Sequence, residues 1–186
     1  MKESKVTDFL IKLDKATEKF LVWLKALFRP NLIVNDIHEI DFAALKNKGI
    51  TALIMDIDDT LIPRGVNDIS PQVFEWVTSR KEEGFKLCLT SNSRHPMRVK
   101  YIGDTLNLAA MHLGFKPLPF AFWRSLKTLG AEPKDAAMIG DQLFMDILGA
   151  NFVKIYSIYV KHMTPETFLP RIWMRKAEEW ILDKTT

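Results

Sequence analysis

Residues 50–60 read ITALIMDIDDT, an apolar run that ends in a cluster of aspartates. The run Ile50–Asp56 is short, apolar and contains several β-branched residues, which is typical of a buried strand. Asp56, Asp58 and Asp59 place three carboxylates within four residues, and these repel one another unless a cation or hydrogen bonds hold them. The stretch therefore predicts a buried strand with a charged site at its carboxyl end.

Strand and helix patterns alternate along the chain around this run. One helix has Ser70 as its N-cap and Pro71 in its first turn, and Gly84 follows its end. Such βα units predict a three-layer α/β fold, a doubly wound parallel sheet with helices on both faces and any ligand at the carboxyl ends of the strands. Further strands are predicted over 85–90, 109–113, 136–140 and 152–160, and helices over 42–48, 70–83, 97–106, 119–129 and from 164 onward.

Composition and charge exclude several classes of protein. The 186 residues are 47% hydrophobic and 26% charged, as in a soluble globular protein, and no apolar run approaches the roughly 20 residues of a membrane span. Cys88 is the single cysteine, which excludes an intrachain disulfide and favours a reducing, cytoplasmic compartment. Residues 1–29 carry the whole net charge of +3, and the neutral remainder argues against a nucleic-acid surface.

The N-terminal residues predict an amphipathic helix over 1–30, ahead of a single domain over 31–186. Apolar residues recur at steps of four and three between Val6 and Leu27, with lysines and acids on the other side. Two interpretations stay open. The helix packs on the domain, or residues 1–29 lie on a membrane surface and make the protein peripheral on the inner face of the membrane.

Polar residues also follow the later predicted strands. The strand over 85–90 leads into the segment TSNS (90–93), and the strand over 136–140 leads into GDQLFMD, which contains Asp141 and Asp146. Lys116, in the turn GFKP, adds a positive charge. Because parallel strands end at one edge of a sheet, we expect these groups in one crevice with the aspartates of DIDDT.

In this order the motifs resemble those of the haloacid dehalogenase (HAD) superfamily of phosphohydrolases. DIDDT is similar to the nucleophile motif DxDxT, and GDQLFMD to the acidic metal-binding motif. Ser91, with Thr90 as the alternative, is similar to the hydroxyl residue, and Lys116 to the lysine. The order of elements from residue 29 onward is similar to the YqeG-type branch, which includes phosphatidylglycerophosphate phosphatases.

The resemblance implies a Mg²⁺-dependent phosphatase that forms an aspartyl phosphate. Asp56 would be the nucleophile, and Asp58 the general acid and base. Asp58 would bind the metal through its backbone carbonyl, and Asp146 would position a water or a neighbouring group. The implied phosphate-binding residues are Thr60, Ser91, Asn92 and Lys116, and the implied metal residues are Asp56, Asp58, Asp141 and Asp146.

The spacing of the motifs leaves no room for an inserted cap domain. Only 30 residues separate Thr60 from Ser91, and 24 separate Ser91 from Lys116. An open site of this kind suits a phosphate group carried on something large, and the basic N-terminus favours an anionic phospholipid headgroup. Two alternatives stay open, a soluble phosphatase for a small sugar or nucleotide phosphate and a non-enzymatic phospho-acceptor module.

Overall fold

The computed structural model describes residues 17–20 and 22–185, and its centre is a sheet of six parallel strands. The strands are β1 (Leu32–Val34), β2 (Ala52–Met55), β3 (Lys86–Thr90), β4 (Ala109–Met111), β5 (Ala136–Gly140) and β6 (Tyr156–Val160). Their order across the sheet, β1-β6-β5-β2-β3-β4, places β2 at the centre. The chain therefore winds outward from β2 in both directions, which is the doubly wound arrangement.

Helices connect the strands, and several begin with the signals expected from the sequence. The side chain of Asp41 accepts a hydrogen bond from Ala44 N, and that of Ser70 accepts one from Val73 N. The helices are α1 (17–28, apart from residue 21), α2 (Phe42–Asn47), α3 (Pro71–Glu82), α4 (Pro96–Leu106), α5 (Pro119–Leu129), α6 (Leu148–Phe152) and α7 (Leu169–Thr185). Short 3₁₀ turns cover Ile37–Glu39 and Pro133–Asp135, and a π-helical turn covers Leu143–Ile147.

The sheet is buried on both faces, as the apolar run at its centre predicts. Leu53 and Met55 belong to the core shared with α2, α3 and α4, whereas Ala52 and Ile54 face α5 and α6. A smaller cluster beside β6 joins the π-helical turn to Phe28 and to α7. The three-layer α/β fold predicted from the sequence is confirmed.

The strand register places the predicted motifs at one edge. Met55 at the end of β2 lies opposite Leu89 on one side and Ile139 on the other. Asp56 is therefore level with the last residues of β3 and β5, and the residues that follow these strands continue beyond the same edge. The register therefore brings the predicted motifs to the same edge of the sheet.

Two elements begin later than the sequence predicts, and one strand was not predicted. The strand predicted over 152–160 begins only at Tyr156, because Leu148–Phe152 is helical and Lys154 takes a left-handed φ of 63° in the turn between. The C-terminal helix begins at Leu169 rather than at residue 164. The short strand β1 was not predicted, since its three residues are too few to show a period.

The described part of the N-terminal helix packs on the domain. Leu27 is buried, the ring of Phe28 lies 5.8 Å from that of Phe144, and the Asn151 amide donates to backbone carbonyls of residues 26, 27 and 29. The rest of the predicted helix, residues 1–16 and 21, lies outside the described residues. Among the described helices, none is both long enough and apolar enough to cross a membrane.

Candidate active site

Asp56 and Lys116 form the buried centre of the site. Lys116 Nζ lies 2.6 Å from Asp56 Oδ1 and 2.6 Å from Asp146 Oδ1, and all three side chains are buried. Burial alone would lower the pKa of Lys116, but the carboxylates of Asp146 and Asp56 raise it overall, so the ammonium stays charged. Burial raises the pKa of Asp56 to about 6, against the opposing effect of Lys116. A fixed cation thus lies directly beside the predicted nucleophile.

Three carboxylates meet at the ends of β2 and β5. Asp56, Asp141 and Asp146 can each offer an oxygen within 4.8 Å of the others. Gly140 makes this possible, because a Cβ at that position would lie 2.4 Å from the carboxyl carbon of Asp146. The π-helical turn then places the Asp146 side chain beside Gly140, where Asp146 Oδ2 accepts a hydrogen bond from Gln142 N at 3.1 Å.

This cluster fits a divalent cation. Burial raises the pKa of Asp141 to about 8, and Asp141 Oδ1 is buried without a hydrogen-bond partner among the described residues. Clustered carboxylates of this kind stay ionised at neutral pH only when a positive charge compensates them, and hard cations such as Mg²⁺ prefer oxygen ligands. Asp56, Asp141 and Asp146 are therefore the residues that could hold the metal. The predicted contribution of the Asp58 carbonyl stays a prediction.

A buried arginine, which the sequence analysis missed, orients the Asp141 carboxylate of this cluster. Arg175 of α7 donates to the backbone oxygen and to Oδ2 of Asp141, and also to Glu178 Oε2 at 3.1 Å. Glu178 in turn accepts from Phe144 N at 3.0 Å. The signal in the sequence was an Arg and a Glu at i and i+3 on a helix face that also carries Leu182.

The two candidates for the phosphate-binding hydroxyl, Ser91 and Thr90, have different surroundings. Ser91 lines the crevice, and its Oγ accepts a hydrogen bond from Ser93 N. The Thr90 hydroxyl instead lies 2.7 Å from Ser125 Oγ, buried under α5. Asn92 also lines the crevice, but its amide exchanges two hydrogen bonds with the Lys116 backbone, at 2.8 and 2.9 Å. This geometry fixes the position of Lys116, and direct phosphate binding by Asn92 stays a prediction.

Asp58 is paired with Arg98 of α4, whereas Asp56 is paired with Lys116. Arg98 donates two hydrogen bonds to the Asp58 carboxylate, at 2.8 and 3.2 Å. The neighbouring Asp59 has a left-handed φ of 62° and accepts from the Arg64 side chain and from the Thr164 hydroxyl. The Thr60 side chain is buried, and its hydroxyl has no partner within the part of the chain that the structure describes.

The site opens into a crevice of about 820 Å³. Its floor includes Asp56, Ser91 and Lys116, and the beginning of α7 forms one wall. The arrangement offers a buried carboxylate oxygen as a nucleophile, cations for an anionic group and a second carboxylate, Asp58, within the same crevice. These groups match the requirements of phosphoryl transfer.

Comparison with known proteins agrees with this geometry. Residues 114–163 match the family described as HAD-hydrolase-like. Over 160 residues the chain is 32% identical to the probable phosphatase YqeG of Bacillus subtilis, covering 86% of this chain and 92% of that protein. The chain belongs to the YqeG-type family of HAD phosphatases. It is therefore a hydrolase of phosphate monoesters, and the predicted family and enzyme class are confirmed.

Two further comparisons are more distant. The chain is 26% identical to the mitochondrial phosphatidylglycerophosphatase of Saccharomyces cerevisiae over 155 residues, covering 76% of this chain and 82% of that protein. A crystal structure of a hypothetical protein from Xanthomonas campestris aligns with a TM-score of 0.51 at 14% identity, over 66% of this chain and 70% of that one. This last likeness shows the fold alone.

As expected for a family member without a cap, the described segments between the motifs are short. The loop after β2, α3 and β3 fill the interval from Thr60 to Ser91, and α4 and β4 lie between Ser91 and Lys116. Pro170 and Arg171 of α7, together with Phe168 just before it, line one side of the crevice.

Proposed function

We propose that the chain is a Mg²⁺-dependent phosphomonoester hydrolase in which Asp56 forms an aspartyl phosphate. The observation that carries this proposal is the buried Asp56 carboxylate beside Lys116 and two further carboxylates. Asp56, Asp141, Asp146 and Glu178, which pairs with Arg175, outnumber the buried cations Lys116 and Arg175 by two charges. A Mg²⁺ ion would cancel that excess before an anionic phosphate enters.

The proposed reaction has two steps. The Asp56 oxygen attacks phosphorus, the bond from phosphorus to the leaving oxygen breaks, and Asp58 gives its proton to that oxygen. Water then attacks the phosphoryl group, Asp58 takes the proton back, and phosphate leaves. Ser91 and Lys116 would hold the phosphoryl oxygens throughout. Mg²⁺, when bound, would neutralise charge on the phosphoryl group.

For the substrate we propose phosphatidylglycerophosphate, which would be converted to phosphatidylglycerol. The similarity to the yeast phosphatidylglycerophosphatase supports this choice. A second support is the open crevice, which is lined in part by Phe168, the residue before α7. Phe168 is 62% exposed, and the nearby α7 residues Leu169 and Trp173 are 69% and 70% exposed. Aromatic side chains of this kind are favoured at lipid interfaces.

We further propose that the protein binds the inner face of the membrane peripherally. Residues 1–30 and the domain over 31–186 would both contact the membrane, and the start of α7 would be the part of the domain nearest the lipid. The described part of α1 contacts the domain elsewhere. Trp23 and Leu27 line a cavity with Lys48 and Lys134, which precede strands β2 and β5 and so lie at the amino edge of the sheet, opposite the crevice. Membrane binding through residues 1–29 stays a prediction.

Phosphate release from different substrates tests the proposal. With Mg²⁺, we expect a kcat/KM for phosphatidylglycerophosphate in mixed vesicles well above that for sugar phosphates and nucleotides. A preference for a soluble sugar or nucleotide phosphate would identify the soluble alternative. Stable phosphorylation of the protein itself, with no phosphate released, would identify a phospho-acceptor module.

Flotation with vesicles that contain phosphatidylglycerol tests the membrane face. The double variant Phe168→Gln/Trp173→Gln should float less than the parent. The double variant Phe20→Gln/Val22→Gln changes exposed apolar residues of α1 and reports on the N-terminal helix instead. Loss of flotation only in the second variant would move the membrane contact to α1, and equal flotation of all three proteins would contradict membrane binding by either surface.

A further inference from the structure

The catalytic crevice carries more positive charge than one phosphoryl group requires. Among the described residues that line it, five cationic side chains stand against two carboxylates. The cations are Arg64, Arg94, Arg98, Lys116 and Arg171. These cations fall into two groups, according to whether their hydrogen-bond donors already have partners in the protein.

Two of the cations are paired with aspartates of the catalytic centre. Lys116 is held between the carboxylates of Asp56 and Asp146. Arg98 uses all three guanidinium nitrogens, on Asp58, on Asn67 Oδ1 and on the Val66 carbonyl. These contacts assign both side chains to the catalytic centre, where Lys116 keeps a third ammonium donor for the phosphoryl group.

The other three cations keep donors available. Arg94 is exposed, and it makes no hydrogen bond or ion pair with any residue in the described ranges 17–20 and 22–185. Arg171 forms an ion pair with Glu166 at 3.7 Å, a distance too long for a hydrogen bond, so its guanidinium donors stay available. Arg64 lines the crevice and binds Asp59 through Nε, and its two terminal nitrogens have no hydrogen bond to any residue that the structure describes. Like charges that share one crevice repel each other unless an anion lies between them.

We propose that Arg94 and Arg171, assisted by Arg64, form a second anion subsite beside the catalytic centre. Its ligand class is a phosphomonoester that carries a second phosphate group on the same molecule. One phosphate would enter the Asp56 centre while the other is bound by the arginines, whose planar donors suit phosphate oxygens. This inference rests on the proposed function, but it does not depend on whether the substrate is a lipid or a soluble compound.

The side chains next to Arg171 suit the rest of such a substrate. Phe168 and Met174 line the same crevice and lie on the same segment as Arg171. They provide an apolar wall for carbon atoms that connect or follow the second phosphate. The catalytic centre itself selects only for a phosphoryl group, so the subsite would determine specificity.

Kinetics on two soluble substrates test the subsite. The substrates are glycerol 1-phosphate, with one phosphate, and glycerophosphoglycerol phosphate, which has a monoester and a diester. Each arginine should contribute about tenfold, because a hydrogen bond to a charged group is worth about 1.5 kcal/mol or more. In Arg94→Gln/Arg171→Gln we expect kcat/KM to fall roughly a hundredfold for the second substrate, and by less than about threefold for the first.

The exposed Arg124 of α5 lies outside the crevice lining and supplies the matched control. Arg124→Gln should leave both kcat/KM values unchanged. An equal loss on both substrates in the double variant would overturn the proposal, because the arginines would then act only as general attraction for anions. No loss on either substrate would overturn it as well.

A binding experiment separates this proposal from the proposed function. Asp56→Asn cannot form the aspartyl phosphate, so the equilibrium affinity for glycerophosphoglycerol phosphate can be measured without turnover. Adding Arg94→Gln/Arg171→Gln to this variant should weaken binding at least tenfold, and raised salt should reduce the difference. An unchanged Kd would refute the subsite even if the wild type proves to be a phosphatase. A wild type that hydrolyses neither substrate but shows the loss of binding would refute the proposed function alone.

Discussion

Replacing Arg98 with glutamine should impair Asp58 without removing any group that touches the phosphate. Arg98 donates two hydrogen bonds to Asp58, one to Asn67 and one to the Val66 carbonyl. It therefore holds both the proposed general acid and the loop behind it. In glutamine the side chain is shorter and uncharged, so the two bonds to Asp58 are lost together.

The size of the effect follows from the burial of this pair. The Arg98 and Asp58 side chains are only 13% and 15% exposed, so water replaces little of what is lost. We expect the free energy of unfolding to fall by about 2 kcal/mol. General acid catalysis contributes on the order of a hundredfold or more, so a misplaced Asp58 should lower kcat by about a hundredfold when the leaving group needs a proton.

Two substrates with different leaving groups provide the assay. Glycerol must be protonated as it leaves, whereas p-nitrophenolate leaves without a proton. Arg98→Gln should therefore lose about a hundredfold in kcat on glycerol 1-phosphate, yet still release a rapid first turnover of p-nitrophenol from p-nitrophenyl phosphate. Slow breakdown of the aspartyl phosphate should follow, because Asp58 also activates the water.

Controls separate positioning from general damage. Lys100→Gln, two residues further along α4, breaks only an exposed pair with Asp104 and should leave both activities near the parent values. In an Asp58→Asn background, Arg98→Gln should add less than about twofold. A loss that is the same on both substrates, or one that persists in full without Asp58, would refute the positioning role.

Three further predictions follow from single contacts. Gly140→Ala should reduce stability by about 1 to 3 kcal/mol and weaken Mg²⁺ binding, because the new Cβ overlaps Asp146; urea unfolding and calorimetry measure both. Millimolar Mg²⁺ should raise the Tm of the wild type but not of Asp141→Asn, and an equal rise in both would exclude Asp141 as a ligand. Burial, partly offset by Ser125 and Thr90, raises the pKa of Cys88 to about 12, so the native thiol should react slowly with disulfide reagents at pH 8. The stability that the buried neutral thiol contributes should be lost as pH rises from about 9 toward 12, by up to about 1.4 kcal/mol per pH unit. Cys88→Ala should remove this contribution and leave that of Tyr159, whose pKa burial also raises to about 12.

The sheet and the location of the site could be predicted because both depend on local patterns. The run Ile50–Asp56 has the length and composition of a central strand, and parallel strands bring their carboxyl ends to one edge. Once Asp56 was placed at that edge, the groups after β3 and β5 had to lie beside it. The family resemblance then supplied the roles.

The remaining features could not be predicted because they depend on contacts distant in sequence. Arg98 meets Asp58 forty residues away, and Arg175 meets Asp141 across 34 residues. Nothing in the sequence near Arg98 distinguishes it from a solvent-exposed helix residue. The segment before α7 was wrongly predicted to be helical because Thr164 and Pro165 resemble a helix start, whereas the Thr164 hydroxyl binds Asp59.

The position of the phosphoryl group on the enzyme tests the central claim most directly. Asp58→Asn, incubated with Mg²⁺ and p-nitrophenyl phosphate and then quenched in acid, should accumulate the intermediate, because this leaving group needs no proton whereas breakdown of the aspartyl phosphate is slowed. Peptide mapping by mass spectrometry should find the phosphoryl group on Asp56, and EDTA should prevent its appearance. A phosphoryl group on any other residue, or turnover by Asp56→Asn at near the parent rate, would contradict the account.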